Sequence, residues 1–404
     1  MKKRIVIIGG GFGGLESALS LWEILESQAD ITLIDRNACH SFIPSIHEII
    51  SGKVGARDIQ IPLSVVLSPT TVTFLQDEVV SIDPWNRQVI TPSRVMEFDY
   101  LVLSSGAEDN FFGVPGAAEF SHPFRSPESA ERISATVKGL LKNEKRPCRL
   151  IVAGGGTEGV EVAGELLDLV RETGSEHDMA SGRITVALID RSRLLNTFPV
   201  KAQDFVEEYL SQRGVKIFAG SRITEVRKRE VVLDPGARYG MSVLIWTGGL
   251  QPSKLLRGLP LSKDDQGWLR VTESLQSPDT DRIYGVGDAI SMYNERGAVA
   301  LSRLAYHALD QARVAGRNIA NHIRGRRTIA YSPKTKPQLL SLGKDMGIFV
   351  RGEYVFSGQS VVLLKKMVQI RHIMTYLTRP SVSALSAKLR EPKLRYLMRW
   401  LLPI

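Results

Sequence analysis

Cysteine is almost missing from this chain. Cys39 and Cys148 are the only two in 404 residues, with no C-x-x-C and no ligand spacing around them. That excludes a disulfide framework, a zinc site and a dithiol redox pair. No metal is expected, a reducing, cytoplasmic compartment fits, and both thiols read as buried structural side chains. Long apolar runs are missing too: no stretch of about 18 apolar residues occurs, so no segment is expected to span a bilayer. The start, MKKRIVIIGGGFGG, has only Ile5 to Ile8 before its glycines and no small-residue cleavage site. It reads as a first strand, not as a signal peptide. Acids are scarce in one region. From Val361 to Ile404, Lys365, Lys366, Arg371, Arg379, Lys388, Arg390, Lys393, Arg395 and Arg399 stand against Glu391 alone, so this tail carries nearly all of the net charge of +9.

What is abundant is glycine in two matching places. RIVIIGGGFGGLESALSL (4–21) and RLIVAGGGTEGVEVAGEL (149–166) each run from a β-branched strand through G-x-G-x-x-G into an amphipathic helical pattern. Gly9, Gly11 and Gly14 hold the fingerprint positions in the first, Gly154, Gly156 and Gly159 in the second. In such a turn the first glycine permits a tight bend, the second lets a pyrophosphate approach the backbone, and the third lets helix and strand pack closely. The helix N-terminus supplies N–H groups and positive dipole to the phosphates. Asp35 and Asp190 end the next apolar strands, ITLID and ITVALID, where a carboxylate can accept both hydroxyls of an adenosine ribose. A polar insertion, 171–183, lengthens the second spacing. Asp190 would repel a 2′-phosphate and so favours NAD(H), although Arg191 and Arg193 beside it blunt that preference. The alternative is a pair of glycine-rich turns that bind nothing. With 404 residues, more than one core is expected.

Further landmarks are FDYLVLSSGAEDNFFGVPG (98–116), SVLIWTGGLQPS (242–253), DRIYGVGDA (281–289) and ITLIDRNACHSFIPSIHEIISG (31–52). Together with both cradles they resemble the two-dinucleotide-binding-domain flavoproteins of the pyridine nucleotide-disulfide oxidoreductase superfamily, and within it the type II NADH:quinone oxidoreductases. The resemblance runs from about Met1 to Gly347. It implies an α/β fold of two Rossmann-like dinucleotide-binding domains, the NAD domain inserted in the FAD domain, plus a C-terminal region with amphipathic helices. The implied boundaries are 1–115 and 280–345 for the FAD domain, 116–279 for the NAD(H) domain and 346–404 for a membrane-association region. FAD would be the cofactor, contacted by Gly9, Gly11, Phe12, Gly13, Gly14, Asp35, Arg36, Gly106, Asp288 and Ala289. NADH would be the substrate, at Gly154, Gly156, Thr157, Gly159, Asp190 and Gly248.

A helix from about Leu301 would aim its N-terminus at the flavin edge. Glu161 matches the family's glutamate near the nicotinamide and flavin rings; as a bland alternative it satisfies the helix dipole, as Asp288 would cap a helix. The family's disulfide-using members carry a C-x-x-x-x-C pair that this chain lacks. The family's A-Q-x-A-x-Q quinone motif falls on AYHALDQ, where Tyr306 and Asp310 stand in place of the glutamines. Four apart on a helix, these two share a face and could meet one ligand; alternatively Tyr306 packs and Asp310 pairs with Arg313.

In the tail, Leu363, Met367, Ile370, Met374 and Leu377 fall at helical spacing with Lys365, Lys366, Gln369 and His372 between them, and Pro380 is expected to stop that helix. EPKLRYLMRWLLPI (391–404) repeats the arrangement. Basic amphipathic helices of this kind lie on anionic bilayers, with core packing or a homodimer contact as the alternative and nucleic acid not expected. The reading at this stage is a peripheral flavoenzyme on the cytoplasmic face of the cell membrane, in the respiratory chain. It would pass hydride from NADH to flavin and then two electrons to a quinone, without proton pumping. Left open are a different acceptor (ferredoxin, a small electrophile or oxygen) and a membrane-bound flavin/NADH redox sensor.

Overall fold

The computed structural model describes residues 2–142, 147–173, 176–294, 297–299 and 302–389. The tail segment 391–404, expected to form a second basic helix, lies outside them. The first half opens with β1 (Lys3–Ile8), α1 (Phe12–Leu25), β2 (Ala29–Asp35), β3 (Thr73–Gln76) and β4 (Tyr100–Leu103). Ile5 to Ile8 are all buried. A strand covered on both faces reads as a continuous apolar run, and each fully buried Ile or Leu adds about 1.5–3 kcal/mol.

β5 (Ala107–Asp109) then carries the chain out to a second sheet made of β6 (His122–Pro123), β7 (Cys148–Ala153), β8 (Ile184–Asp190), β9 (Val215–Ala219) and β10 (Val243–Trp246), with α2 (Thr157–Glu172) following β7. β11 (Leu250–Pro252) brings it back, paired antiparallel with β5, so both crossings run side by side as one ribbon. β12 (Ile283–Gly285) pairs with β4 and completes the first sheet in the order β12-β4-β1-β2-β3; the second runs β6-β10-β7-β8-β9. The chain rejoins the first core already at Leu256, ahead of residue 280. Because β11 is paired to β5, whatever follows it is delivered directly to the first half.

α3 (Ala305–Ile323) packs along α1. A three-stranded sheet, β13 (Gln338–Ser341), β14 (Gly347–Arg351) and β15 (Tyr354–Gly358), leads into α4 (Gln359–Leu389). Pro380 does not stop this helix; it lies inside it. Proline removes one backbone donor, but anchors on either side hold the turn: Arg379 bonds Glu16 and Glu23, and Ser383 bonds Glu23 at 2.7 Å. No helix among the described residues is long and apolar enough to cross a membrane.

Candidate active site

The two cradles are the same object built twice. In the first, Gly9 turns at φ +100°, and a Cβ on Gly14 would sit 1.7 Å from the Gly9 carbonyl oxygen. In the second, Gly154 turns at φ +115°, and a Cβ on Gly159 would sit 1.8 Å from the Gly154 carbonyl oxygen. Above Gly11 and Gly156, by contrast, a Cβ would meet nothing within 4 Å. That open space over the middle glycine, with helix and strand locked beneath it, is the shape a pyrophosphate needs. Gly10 N–H donates to Asp35 and Gly155 N–H to Asp190, so each acid is pinned at the lip of its cradle. Two hydroxyls outside the sequence prediction close the copies identically. Ser104 Oγ donates to the Ile8 carbonyl at 2.6 Å, and Thr247 Oγ1 to the Ala153 carbonyl at 3.0 Å. Their signal was present, a hydroxyl residue one or two positions before the glycine at each crossing.

The remaining cradle residues sort by position. Phe12, Gly13, Arg36, Gly106 and Asp288 line one large cavity, whereas Ala289 is fully buried behind it and Gly14 is packing. Gly248 lies under the second cradle, its Cα 3.0 Å from where a Cβ on Gly154 would sit. Arg193, a potential 2′-phosphate partner, is bound to Asp204 at 2.8 Å and Glu207 at 2.6 Å. Cys39 is half-buried and lines the cavity, contrary to its expected burial; Cys148 is buried, and that burial raises its thiol to about 11. Cys39 opens the short strand directly after the first cradle's acid, which places it on the cavity rim.

The cavity, of about 1770 Å³, joins the first cradle to Thr157, Glu158 and Glu161 of α2. Its far wall comes from Phe42, Ile43, Pro44 and Ile46 on one side and Lys365, Val368 and His372 of α4 on the other. Glu161 is no solvent-facing first-turn acid. Its Oε1 accepts from Lys365 Nζ and, at 3.0 Å, from the Ser341 N–H. His47 Nε2 accepts from Lys365 at 3.2 Å and from Ser341 Oγ at 2.7 Å, which leaves the ring proton on Nδ1, 3.5 Å from Glu161 Oε2. Burial raises the Glu161 carboxyl, with Lys365 opposing; burial followed by the charge of Lys365 lowers His47 and keeps it neutral. Next to this group His40 donates from Nδ1 to the Gly10 carbonyl at 3.0 Å and accepts at Nε2 from His372 at 3.0 Å. Desolvation lowers both rings, to about 4 and about 3.

α4 turns its polar stripe toward the protein. Lys365, Gln369 and Tyr376 are buried, while Leu363 is 64% exposed, Met367 58%, Ile370 53% and Met374 47%. The sequence showed both stripes and left open whether the apolar one faced a bilayer, a second copy or the core; the docking of the helix leaves it bare and turns the polar one inward. Of Tyr306 and Asp310, only the first is on the cavity wall. Asp310 pairs with Lys336 at 2.8 Å and Arg313 at 3.4 Å. α3 begins at Ala305, which also lines the cavity.

Against known proteins, the model of the pyridine nucleotide-disulphide oxidoreductase family matches residues 3–316. A type II NADH:quinone oxidoreductase of Staphylococcus saprophyticus is 23% identical over 384 residues, 92% of this chain and 95% of the relative. The demethylphylloquinone reductase NdbB of Synechocystis is 26% identical over 387 residues, 93% of each chain. Among solved structures, NDH2 of Plasmodium falciparum in complex with NADH superposes with a TM-score of 0.82 at 18% identity, covering 96% of this chain and 98% of that one.

Proposed function

The chain belongs to the pyridine nucleotide-disulphide oxidoreductase family, and on that premise we propose that it oxidises NADH through a bound FAD and delivers two electrons to a membrane quinone. The observation that carries this reading is that the first turns of α2, the helix the second cradle starts, place Thr157, Glu158 and Glu161 on the wall of the cavity that holds the first cradle. FAD fits the first cradle: Gly11 leaves room for its pyrophosphate, Asp35 stands ready for the ribose, and Asp288 and Gly106 face the rest of the molecule. Bound there, a flavin supplies the hydride acceptor that no side chain can be. NADH fits the second cradle, with Asp190 at its ribose and Arg193 engaged elsewhere. NADH should therefore be used at least about tenfold more efficiently than NADPH, and Asp190→Ser should narrow the ratio of their kcat/KM values.

NADH donates two electrons and one proton and a quinone takes up two of each, so one proton must come from solvent. Glu161, hydrogen-bonded to Lys365 Nζ and set in the cavity wall, can hold that proton on its carboxyl. The acceptor side is Phe42, Ile43, Pro44 and Ile46 facing Val368 and His372, with Tyr306 elsewhere on the wall. The staphylococcal and Synechocystis relatives, named for quinone chemistry, support that acceptor. The outward stripe of α4 would rest on an anionic cytoplasmic membrane surface, so that a lipid-soluble quinone reaches the cavity without leaving the bilayer. No protons are pumped in this scheme, because no step moves charge across the bilayer. Exchanging Leu363 and Met367 together for glutamate should lower partitioning onto anionic vesicles by at least about tenfold in co-sedimentation, since each side chain contributes about 1.5–3 kcal/mol. A shift from dimer to monomer with unchanged vesicle binding would assign the stripe to a homodimer contact instead.

The whole reading is tested by anaerobic mixing. NADH should bleach the yellow FAD-loaded protein and a soluble quinone analogue should restore its colour. Bleaching with no recovery removes the quinone; a folded protein that takes up no FAD removes everything.

A further inference from the structure

Arg125 stands where the two halves meet. Its guanidinium reaches Glu158 of α2 at 3.5 Å and Asp288 of the first half at 3.8 Å. Asp109 of β5 acts on the same group, and all four side chains line the cavity. Three carboxylates thus share one cation, with Arg303 adding a second near Asp288. Glu161, the remaining acid facing Glu158, is already paired with Lys365.

Glu158 is in the first turn of α2, directly after Gly156 and Thr157. An acid there is normally stabilised as its anion by the helix dipole. Here the opposite holds. Its side chain keeps 36% of its accessibility, yet it faces the cavity, and desolvation together with Glu161, Asp109 and Asp288 outweighs Arg125 and raises it to about 7. Arg125, shared with two other carboxylates, does not offset that cost, and a further positive charge arriving beside Glu158 would favour its anion. The three residues of α2 that line the shared cavity are Thr157, Glu158 and Glu161, so a nicotinamide reaching from this turn toward the first cradle passes Glu158. The oxidised nicotinamide ring is a cation and the reduced ring is neutral.

We propose that Glu158 discriminates between the two redox states of the nicotinamide, its carboxylate holding the oxidised, cationic ring and gaining nothing from the reduced one. The proposal rests on the two-dinucleotide reading above and adds to it a control on product release. By linkage, a cation that favours the ionised carboxylate must itself bind more tightly once that carboxylate is ionised. NAD+ affinity therefore rises as the pH climbs through the neutral range, while affinity for a neutral ring does not. If the cation lowers the carboxyl by one unit, the ratio of the two affinities changes about tenfold.

Titration calorimetry of the FAD-loaded protein from pH 5.5 to 8.5 tests this, with NAD+ as one probe and tetrahydro-NAD, whose ring is neutral and inert to hydride transfer, as the other. The NAD+ preference should rise about tenfold with a midpoint near 7 in the parent and stay flat in Glu158→Gln. Arg125→Met should move the midpoint upward, because Arg125 holds the carboxyl down. Glu161→Gln should keep the slope, which separates the two titrating glutamates. A flat ratio in the parent, or an undiminished slope in Glu158→Gln, overturns the proposal. A parent that binds neither probe overturns the reading of the second cradle itself, and the proposal with it.

Discussion

Gly159→Ala should leave the protein yellow and nearly unreducible by NADH. The added methyl would lie 1.8 Å from the Gly154 carbonyl oxygen, where a carbon–oxygen contact needs roughly 3.3 Å. The oxygen belongs to backbone, so no side chain can swing away; α2 must lift from β7 by more than an ångström or tilt. Overpacking of this kind costs about 1–3 kcal/mol, which a domain with the buried core of this second sheet survives. The cradle does not survive it, because a displacement of about 1 Å is enough to cost on the order of a hundredfold in a positioned reaction. The first cradle, more than a hundred residues earlier in the chain, keeps its own glycines and hence its flavin. Stopped-flow absorbance would follow the bleaching by NADH, with the far-ultraviolet spectrum confirming the fold. A bleaching rate within twofold of the parent would show that the second turn binds no nucleotide.

Glu161→Gln is the other large expected effect. Glutamine fills the same volume and can still accept from Lys365 and the Ser341 N–H, so packing is preserved and the exchangeable proton is lost. General acid–base groups contribute typically 10²–10⁴-fold, and a fall of about a hundredfold in quinone-dependent NADH oxidation is expected. The pH profile separates this from simple damage. Burial raises the Glu161 carboxyl, so activity that requires its protonated form persists above the usual carboxylate value of about 4.3 and is lost as the pH rises through the raised value. That alkaline limb should be present in the parent and absent from the variant. If both profiles and rates coincide, Glu161 only holds Lys365 and the β13 backbone in place.

The neighbourhood of Glu161 shows why part of this site could not be read beforehand. Glu161 itself follows its cradle glycine by two residues and is local. Lys365, His47 and Ser341, its three partners, come from three distant segments that meet only because β13 and α4 fold back over α2. Likewise Asp310 stood in the right register for an acceptor site. Lys336, from the segment after α3, pairs with it, a partner that the helical register does not reveal.

α4 makes the same point at the scale of a whole element. Its two stripes, one polar and one apolar, follow from a 3.6-residue period alone. Which stripe faces water is decided by what it packs against, here polar partners spaced along the helix, Glu161 at Lys365, His40 at His372, and Glu16 and Glu23 at Arg379, so that lysine, glutamine and tyrosine point inward and leucine and methionine outward.

The order of residues along the chain determined by itself the two cradles, their strands and the acids at their lips, because each is a short-range design in which neighbouring residues dictate φ angles, helix start and strand burial. Only the tertiary structure decided that the helix of the second cradle lines the cavity of the first, which charges are paired across it, and which face of the last helix is left bare. Those are contacts between segments from about thirty to more than two hundred residues apart, and no local periodicity encodes the partner.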